Sequence, residues 1–254
     1  MECFWCSTNL LPGSPPLKVL PDGCVDIIFN FTGSNSNHVS DIEKNSPFIV
    51  GTMTGPLLSK SEPMITEMIG IRFRPVGITA FMPVPVNELT DKNYDLFSVH
   101  TLFSKEFHEI IIRQSSTLER IKYIEHYFIE KLKSITLPDK RIVQATRSII
   151  ESHGQRRVSE VINSVSLSER QFERCFIAAV GISPKTFSNI IRFRQTRNYI
   201  MLHPKESITS IAMSCGYFDH SHLFRDFHRF GDELPDECRF FTQNCQILPL
   251  SLPI

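Results

Sequence analysis

Apolar residues in the first hundred positions come in short runs broken by glycine and proline. "KVLPDGCVDIIFNFTG" carries a Pro-Asp-Gly turn, an apolar run and a Thr-Gly break, and "SPFIVGTMTGP" and "MITEMIGIRFRPVG" repeat the scheme. Runs rich in Ile, Val and Phe with this punctuation predict strands of a small antiparallel barrel or sandwich. "FMPVPVNELT" is too proline-rich for a central strand and reads as a connection. From about residue 100 the period lengthens. Leu118, Ile121, Ile124, Phe128, Leu132 and Ile135 recur every three or four positions, which predicts an amphipathic helix. Core packing and a dimer seam both fit its broad apolar face. "TLPDK" breaks the pattern, with Asp139 placed as an N-cap, and helical periodicity then holds to about residue 240. The expected fold is α+β. It has a β-rich, cupin-like domain over 1–100, a helical connector over 101–138, an all-α domain over 139–240 and a tail over 241–254.

The helical half repeats itself. Phe172-Glu-Arg174-Cys-Phe176 returns 51 positions later as Leu223-Phe-Arg225-Asp-Phe227, and Gly181-Ile-Ser-Pro184 as Asp232-Glu-Leu-Pro235. Val161-Ile162 and Ile211-Ala212 lie 50 apart, so the second copy has gained one residue near Tyr217-Phe218. Each copy reads as helix, tight turn, helix, which predicts two helix-turn-helix motifs.

The second helix of each copy has two faces. Phe172, Cys175, Phe176, Ala179 and Val180 fall at i, i+3, i+4, i+7 and i+8 and are expected inside, with Arg170, Glu173 and Arg174 opposite. In the second copy Leu223, Phe227 and Phe230 are expected inside. Ser221, Arg225 and His228 point out, Phe224 lies at the edge, and His220 sits in the first turn. Ser168 and Asp219 occupy the N-cap positions. An exposed helix end bearing arginine and small polar groups suits the DNA major groove. Arginine pairs bidentately with guanine, serine and histidine bond base edges singly, and an aromatic ring packs on a thymine methyl. The "SPKTFSNIIRFRQTRNYIMLHP" helix joins the copies, anchored by Phe187, Ile190, Ile191 and Phe193, with Arg192, Arg194 and Arg197 expected to supply surface charge. As a stiff spacer it would set the two recognition helices about 34 Å apart, one groove repeat.

Charge distribution agrees. Net charge is zero, yet residues 1–139 hold 12 Lys and Arg against 16 Asp and Glu, and residues 140–254 hold 15 against 11. A basic block beside an acidic one fits a polyanion-binding module attached to something else. Hydrophobic content of 41% and charged content of 21% are those of a globular chain. The sequence shows no apolar run long enough to span a bilayer and no secretory leader, so a cytoplasmic location is expected. Seven irregularly spaced cysteines suit a reducing compartment.

Metal and catalytic readings fare poorly. His220 and His222 are two apart on a helix, and His220 and His228 about 12 Å apart along the axis, so neither pair shares a metal. Cys3-x-x-Cys6 with Cys24 lacks a second pair and reads as thiols on strands. His38 and His100 are isolated, and no catalytic motif, phosphate loop or cofactor signature occurs. Arg72 and Arg74 alternate with Ile71 and Phe73 on a strand. They are expected either to bind an anionic effector or to pair with local carboxylates.

"SERQFERCFIAAVGISPKTFSNIIRFRQTRNYI" followed by "SITSIAMSCGYFDHSHLFRDFHRF" resembles the DNA-binding domain of AraC/XylS-type bacterial transcription regulators. The most specific part is Ala212, Gly216, Tyr217, Asp219, Ser221, His222, Leu223, Arg225 and Phe227 in "A-x-x-x-G-Y-x-D-x-S-H-L-x-R-x-F". "LPDGCVDIIFN", "VGTMTGP" and "IGIRFRPVG" resemble an uncharacterised β-rich domain found ahead of such modules. "ECFWCS" reads as the middle of that domain's first strand, so an upstream piece is expected. The resemblance implies a double-stranded DNA partner contacted by Arg170, Glu173, Arg174, His220, Ser221, Phe224 and Arg225. It further implies RNA polymerase, a small-molecule effector and a second copy of the chain as partners, an activator role, and no catalytic residue, metal or cofactor.

Departures from the family pattern set further expectations. Ile162 stands in place of a small alanine, and Ser166 in place of the turn glycine, which costs roughly 1 kcal/mol if Ser166 is left-handed. Asp232, Leu234 and Cys238 replace a glycine, a Ser/Thr cap and an aromatic, so a frayed end and weakened DNA affinity are expected, with a degenerate, non-binding domain as the alternative.

Overall fold

The computed structural model describes residues 1–8, 18–32, 47–58, 66–82, 84–96, 102–240 and 248–250. His38 and His100 lie outside the described residues. The strands are β1 (Cys3–Thr8), β2 (Lys18–Val19), β3 (Val25–Thr32), β4 (Phe48–Val50), β5 (Leu57–Leu58), β6 (Thr66–Phe73), β7 (Asn93–Asp95) and β8 (Leu248–Leu250). Six of them form an antiparallel sheet in the order β7-β4-β3-β6-β1-β8, and β2 pairs with β5.

Alternation along the strands sorts the residues by face. Phe4, Ile71, Ile27 and Ile49 lie in one cross-strand row and are buried. The next row turns the other way and brings Arg72 opposite Asp26. The apolar face is covered by α1 (Lys105–Arg113) and α2 (Thr117–Leu132), which pack Phe107, Ile121, Ile124 and Phe128 against Phe29 and Phe73. A run of edge-to-face and stacked rings through Phe29, Phe73, Phe81, Phe103, Phe107, Tyr123, Tyr127 and Phe128 fills the space between. The sheet is therefore open, with distinct edges at β7 and β8, so of the barrel or sandwich that the strand pattern allowed, the closed barrel is not formed. Helices laid on one face take over the burial that closure would have provided.

The apolar face of α2 is narrower than its sequence period predicts. Leu118, Ile129 and Leu132 are exposed, and Ile135 lies past the helix end. On the polar side of the sheet, Arg72 donates to Asp26 at 3.0 and 2.8 Å and pairs with Asp22 at 2.8 Å. Burial works against its charge, but these carboxylates raise its pKa. Arg72 is thus committed within the protein and is not available to an anionic effector. Arg74 is exposed. Cys3 and Cys6 are half-buried on β1, and burial raises both thiols above their ordinary pKa.

The helical half comprises α3 (Lys140–Glu151), α4 (Val158–Asn163), α5 (Glu169–Val180), α6 (Pro184–Leu202), α7 (Ile208–Ser214), α8 (His220–Gly231) and a closing 3₁₀ turn (Pro235–Phe240). Asp139 caps α3 as expected, its carboxylate accepting from the Arg141 N–H. Phe172, Phe176, Phe187, Phe193, Phe227 and Phe230 are all essentially inaccessible in one core. Two residues of the first domain belong to that same core. Leu20 packs on it, and Val76 is buried in it at 2% exposure. Val76 holds a left-handed backbone (φ 73°), strained for a β-branched residue by about 1–3 kcal/mol and retained because its side chain closes the helical core.

Candidate nucleic-acid interface

The two helix-turn-helix motifs are α4–α5 and α7–α8, both packed against α6. In α5 the 3.6-residue period puts Phe172, Phe176 and Val180 inside and leaves Arg170, Glu173 and Arg174 exposed. Among the described residues neither arginine has an ion-pair partner, so both guanidiniums face solvent. In α8 Leu223, Phe227 and Phe230 are buried, His220, Ser221 and Arg225 are exposed, and Phe224 is half-buried. His220 and Phe224 meet edge to face at 6.4 Å, and Arg225 Nε donates to the Ser221 carbonyl at 3.4 Å. The structure thus groups the expected residues into two outward patches, three on α5 and four on α8.

Both recognition helices start at a real cap. Ser168 and Gln171 form a reciprocal capping box on α5, and the Asp219 carboxylate accepts from the His222 N–H at 2.7 Å on α8. The turns differ. Gly216 takes a left-handed backbone (φ 75°) in the second motif, whereas Ser166 does not in the first. There the chain leaves α4 through short-range bonds from Ser164 to Val161 and from Val165 to Ile162. The strain expected at Ser166 is absent, and it falls on Asp232 instead, the α8 C-cap, at φ 43°. The end beyond it is not frayed. The Glu237 carboxylate accepts from the Leu234 N–H at 2.8 Å, Cys238 is buried, and Arg239 reaches the carbonyls of His203, Pro204 and Glu206.

Of the three α6 arginines only Arg194 is exposed as expected; Arg192 and Arg197 are turned into the protein. Arg192 is 6% exposed and donates to Asp226 at 3.0 Å, to Asn189 at 3.2 Å and to His222 Nε2 at 3.2 Å, with its guanidinium 4.4 Å from the Tyr217 ring centre. A guanidinium only donates, so His222 Nε2 is the acceptor wherever this contact is a hydrogen bond. Burial, and then the Arg192 charge, hold His222 below its ordinary pKa. Arg197 pairs with buried Glu233 at 2.7 Å, and Arg194 reaches Asp22 of the first domain at 3.5 Å. The sequence did carry a signal for this. Asp226 lies on the same helix face as Leu223, Phe227 and Phe230, and a carboxylate there requires a buried partner.

The first domain grips the ends of both recognition helices. Thr52 donates to the Val180 carbonyl at 2.6 Å and Thr90 to the Gly181 carbonyl at 2.7 Å, at the C-terminus of α5. Lys18 donates to the Asp232 carbonyl at 3.0 Å, at the end of α8. Gly23 (φ 78°) lies so close to Phe187 of α6 that a β-carbon there would sit 2.3 Å from the ring.

Among the described residues no cluster of His, Cys, Asp and Glu is arranged to hold a metal ion, and no helix is long and apolar enough to cross a membrane. Sequence reasoning assigned no role to Phe218, which it met only as the place of the one-residue insertion. Phe218 is 92% exposed.

Comparison with known proteins follows the same division. Residues 161–239 match a family model described as a helix-turn-helix domain, and residues 1–95 match a domain of unknown function, DUF6597. The chain is 32% identical over 92 residues to the HTH-type transcriptional activator RhaS of Klebsiella pneumoniae, covering 35% of this chain and 33% of that protein. An uncharacterized HTH-type transcriptional regulator of Haemophilus influenzae is 24% identical over 117 residues, 46% of this chain and 39% of that protein. The chain matches about a third of the length of the first of these curated relatives. Among solved structures, ToxT of Vibrio cholerae aligns over 94% of this chain and 98% of its own, at 13% identity and a TM-score of 0.47. A probable AraC family regulator from Rhodopseudomonas palustris aligns over 40% of this chain and 96% of its own, at 21% identity and a TM-score of 0.37. Residues 161–239 thus form a helix-turn-helix domain that is similar to part of known transcription regulators and resembles the AraC/XylS-type module, behind an N-terminal domain from a family of unknown function.

Proposed function

We propose that the chain is a cytoplasmic, sequence-specific regulator of transcription that binds double-stranded DNA through the major groove. One observation carries this reading: a single buried-core helix, α6, holds two capped helices whose arginine-bearing faces are left exposed. Arg170, Arg174 and Arg225 then pair with guanine edges, Glu173 accepts from cytosine N4, His220 and Ser221 bond base edges singly, and Phe224 meets a thymine methyl. Reading by two helices of one chain makes a single molecule sufficient for two half-sites. The intact caps at Ser168 and Asp219 and the packed C-terminal turn favour this over a decayed, non-binding domain.

The finer partners belong to the same reading. The exposed Leu118, Ile129 and Leu132 on α2 are the apolar surface that a second copy would cover. An open cleft of about 330 Å³ between Met53, Thr54, Asp91 and Lys92 is where a small effector would reach the segment that grips α5. RNA polymerase is the partner that the activator relatives suggest.

The test is a mobility-shift titration of the full chain against a random duplex pool at several salt concentrations. Retained duplexes are expected to share a sequence, and affinity to fall steeply with salt. Absence of any retarded duplex at low salt overturns the proposal.

A further inference from the structure

Phe218 is the most exposed large apolar side chain described, at 92%. Its backbone is fixed from both sides. The Tyr217 N–H donates to the Ala212 carbonyl at 2.9 Å, and Asp219 on the other side is pinned as the α8 N-cap. Tyr217 turns inward over Arg192, so its neighbour turns outward. A bare ring on a rigid segment loses little conformational freedom when something covers it, and its burial is favourable.

Its position selects the partner. Phe218 lies one residue ahead of the recognition-helix cap and is followed in the chain by exposed His220 and Ser221, with half-buried Phe224 one turn on. The carboxylate of the next residue, Asp219, is engaged by the His222 N–H. The apolar group that the major groove offers to the N-terminus of such a helix is the C5-methyl of thymine. We propose that Phe218 is an additional base-reading residue of the second motif, packing its ring on a thymine methyl at the leading edge of α8. This inference rests on the DNA-binding reading above and adds a specificity element to it.

The experiment starts from the duplex that the full-length wild type selects out of a random pool. Each thymine in it is replaced singly by deoxyuridine, which removes the methyl and keeps every hydrogen bond. Affinities are measured for wild type, for Phe218→Ser and for Leu202→Ser, another strongly exposed apolar residue (76%) at the far end of α6. One or two replacements should weaken wild type roughly three- to ten-fold, the factor that burying one methyl group gives. Phe218→Ser should lose a similar factor on the parent duplex and become indifferent to one of those replacements, while any sensitivity due to Phe224 stays. Leu202→Ser should behave as wild type. Matching thermal melts of the three proteins establish that the fold is retained. Unchanged thymine sensitivity in Phe218→Ser, or unchanged affinity, overturns this inference alone and points to a protein surface as the ring's partner. Failure of wild type to retain any duplex overturns the DNA-binding reading and this inference with it.

Discussion

The two helix-turn-helix motifs share a sequence pattern and differ in what anchors them. The first is held at its far end by the other domain, through the Thr52 and Thr90 hydroxyls on the last carbonyls of α5. The second is held from below by the connecting helix, through buried Arg192–Asp226 and Arg197–Glu233 pairs, with one exposed Lys18 contact to the first domain. Their outward faces differ as well. Charged Arg170, Glu173 and Arg174 line the first, while His220, Ser221, Phe224 and Arg225 make the second more aromatic and less charged. An internal repeat therefore fixes the shape of a reading head without fixing its attachment.

The largest effect comes from cutting the anchor of the second motif. Asp226→Ala strands the Arg192 charge in the core and should cost about 3–5 kcal/mol in denaturant unfolding, whereas joint Arg192→Met and Asp226→Leu should cost far less. Next come the reading faces. Arg174→Ala and Arg225→Ala should each weaken binding by about 1–3 kcal/mol and relax specificity in different halves of the selected site, which repeated selection with each variant would reveal. Ser168→Ala and Asp219→Ala should each lower stability by about 1 kcal/mol, a matched pair of losses readable by thermal melting. Thr52→Val with Thr90→Val should cost about 1 kcal/mol per bond and speed amide exchange at the end of α5 while sparing α8. Equal acceleration in both helices would erase the asymmetry.

The smallest effect concerns pH. Folded His222 has a depressed pKa, so the unfolded chain takes up its proton first as pH falls. Stability from this group is whole above the ordinary histidine value and is lost as pH drops from there through the folded value. Asp226 and Arg192 face the ring most closely, with Arg225 and Lys185 adding positive charge. Wild type should lose stability more steeply than His222→Gln across that window, measured by melts at stepped pH.

Much of this was legible from periodicity. The inner and outer faces of α5 and α8, and the caps at Asp139, Ser168 and Asp219, follow from residue type at helical spacing. Strand alternation gave the faces of the sheet but not its closure, because period two says nothing about whether the two edges meet. Arg192 and Arg197 were misread as surface charge, since their partners, Asp226 and Glu233, lie more than thirty residues away. The threonines at the end of α5 were invisible for the same reason: Thr52 and Val180 are separated by 128 positions. Phe218 escaped notice because it falls at the one-residue insertion, where the repeat gives no counterpart to compare.

The helical core is sealed partly by outsiders: Leu20 and Val76 fill its edge, and Gly23 leaves the hollow into which the Phe187 ring fits. The two halves are therefore complementary castings of one mould. A chimera that sets residues 139–240 behind an unrelated front would inherit a hole in its own interior, so swapping fronts to rewire such a protein requires recutting that seam first.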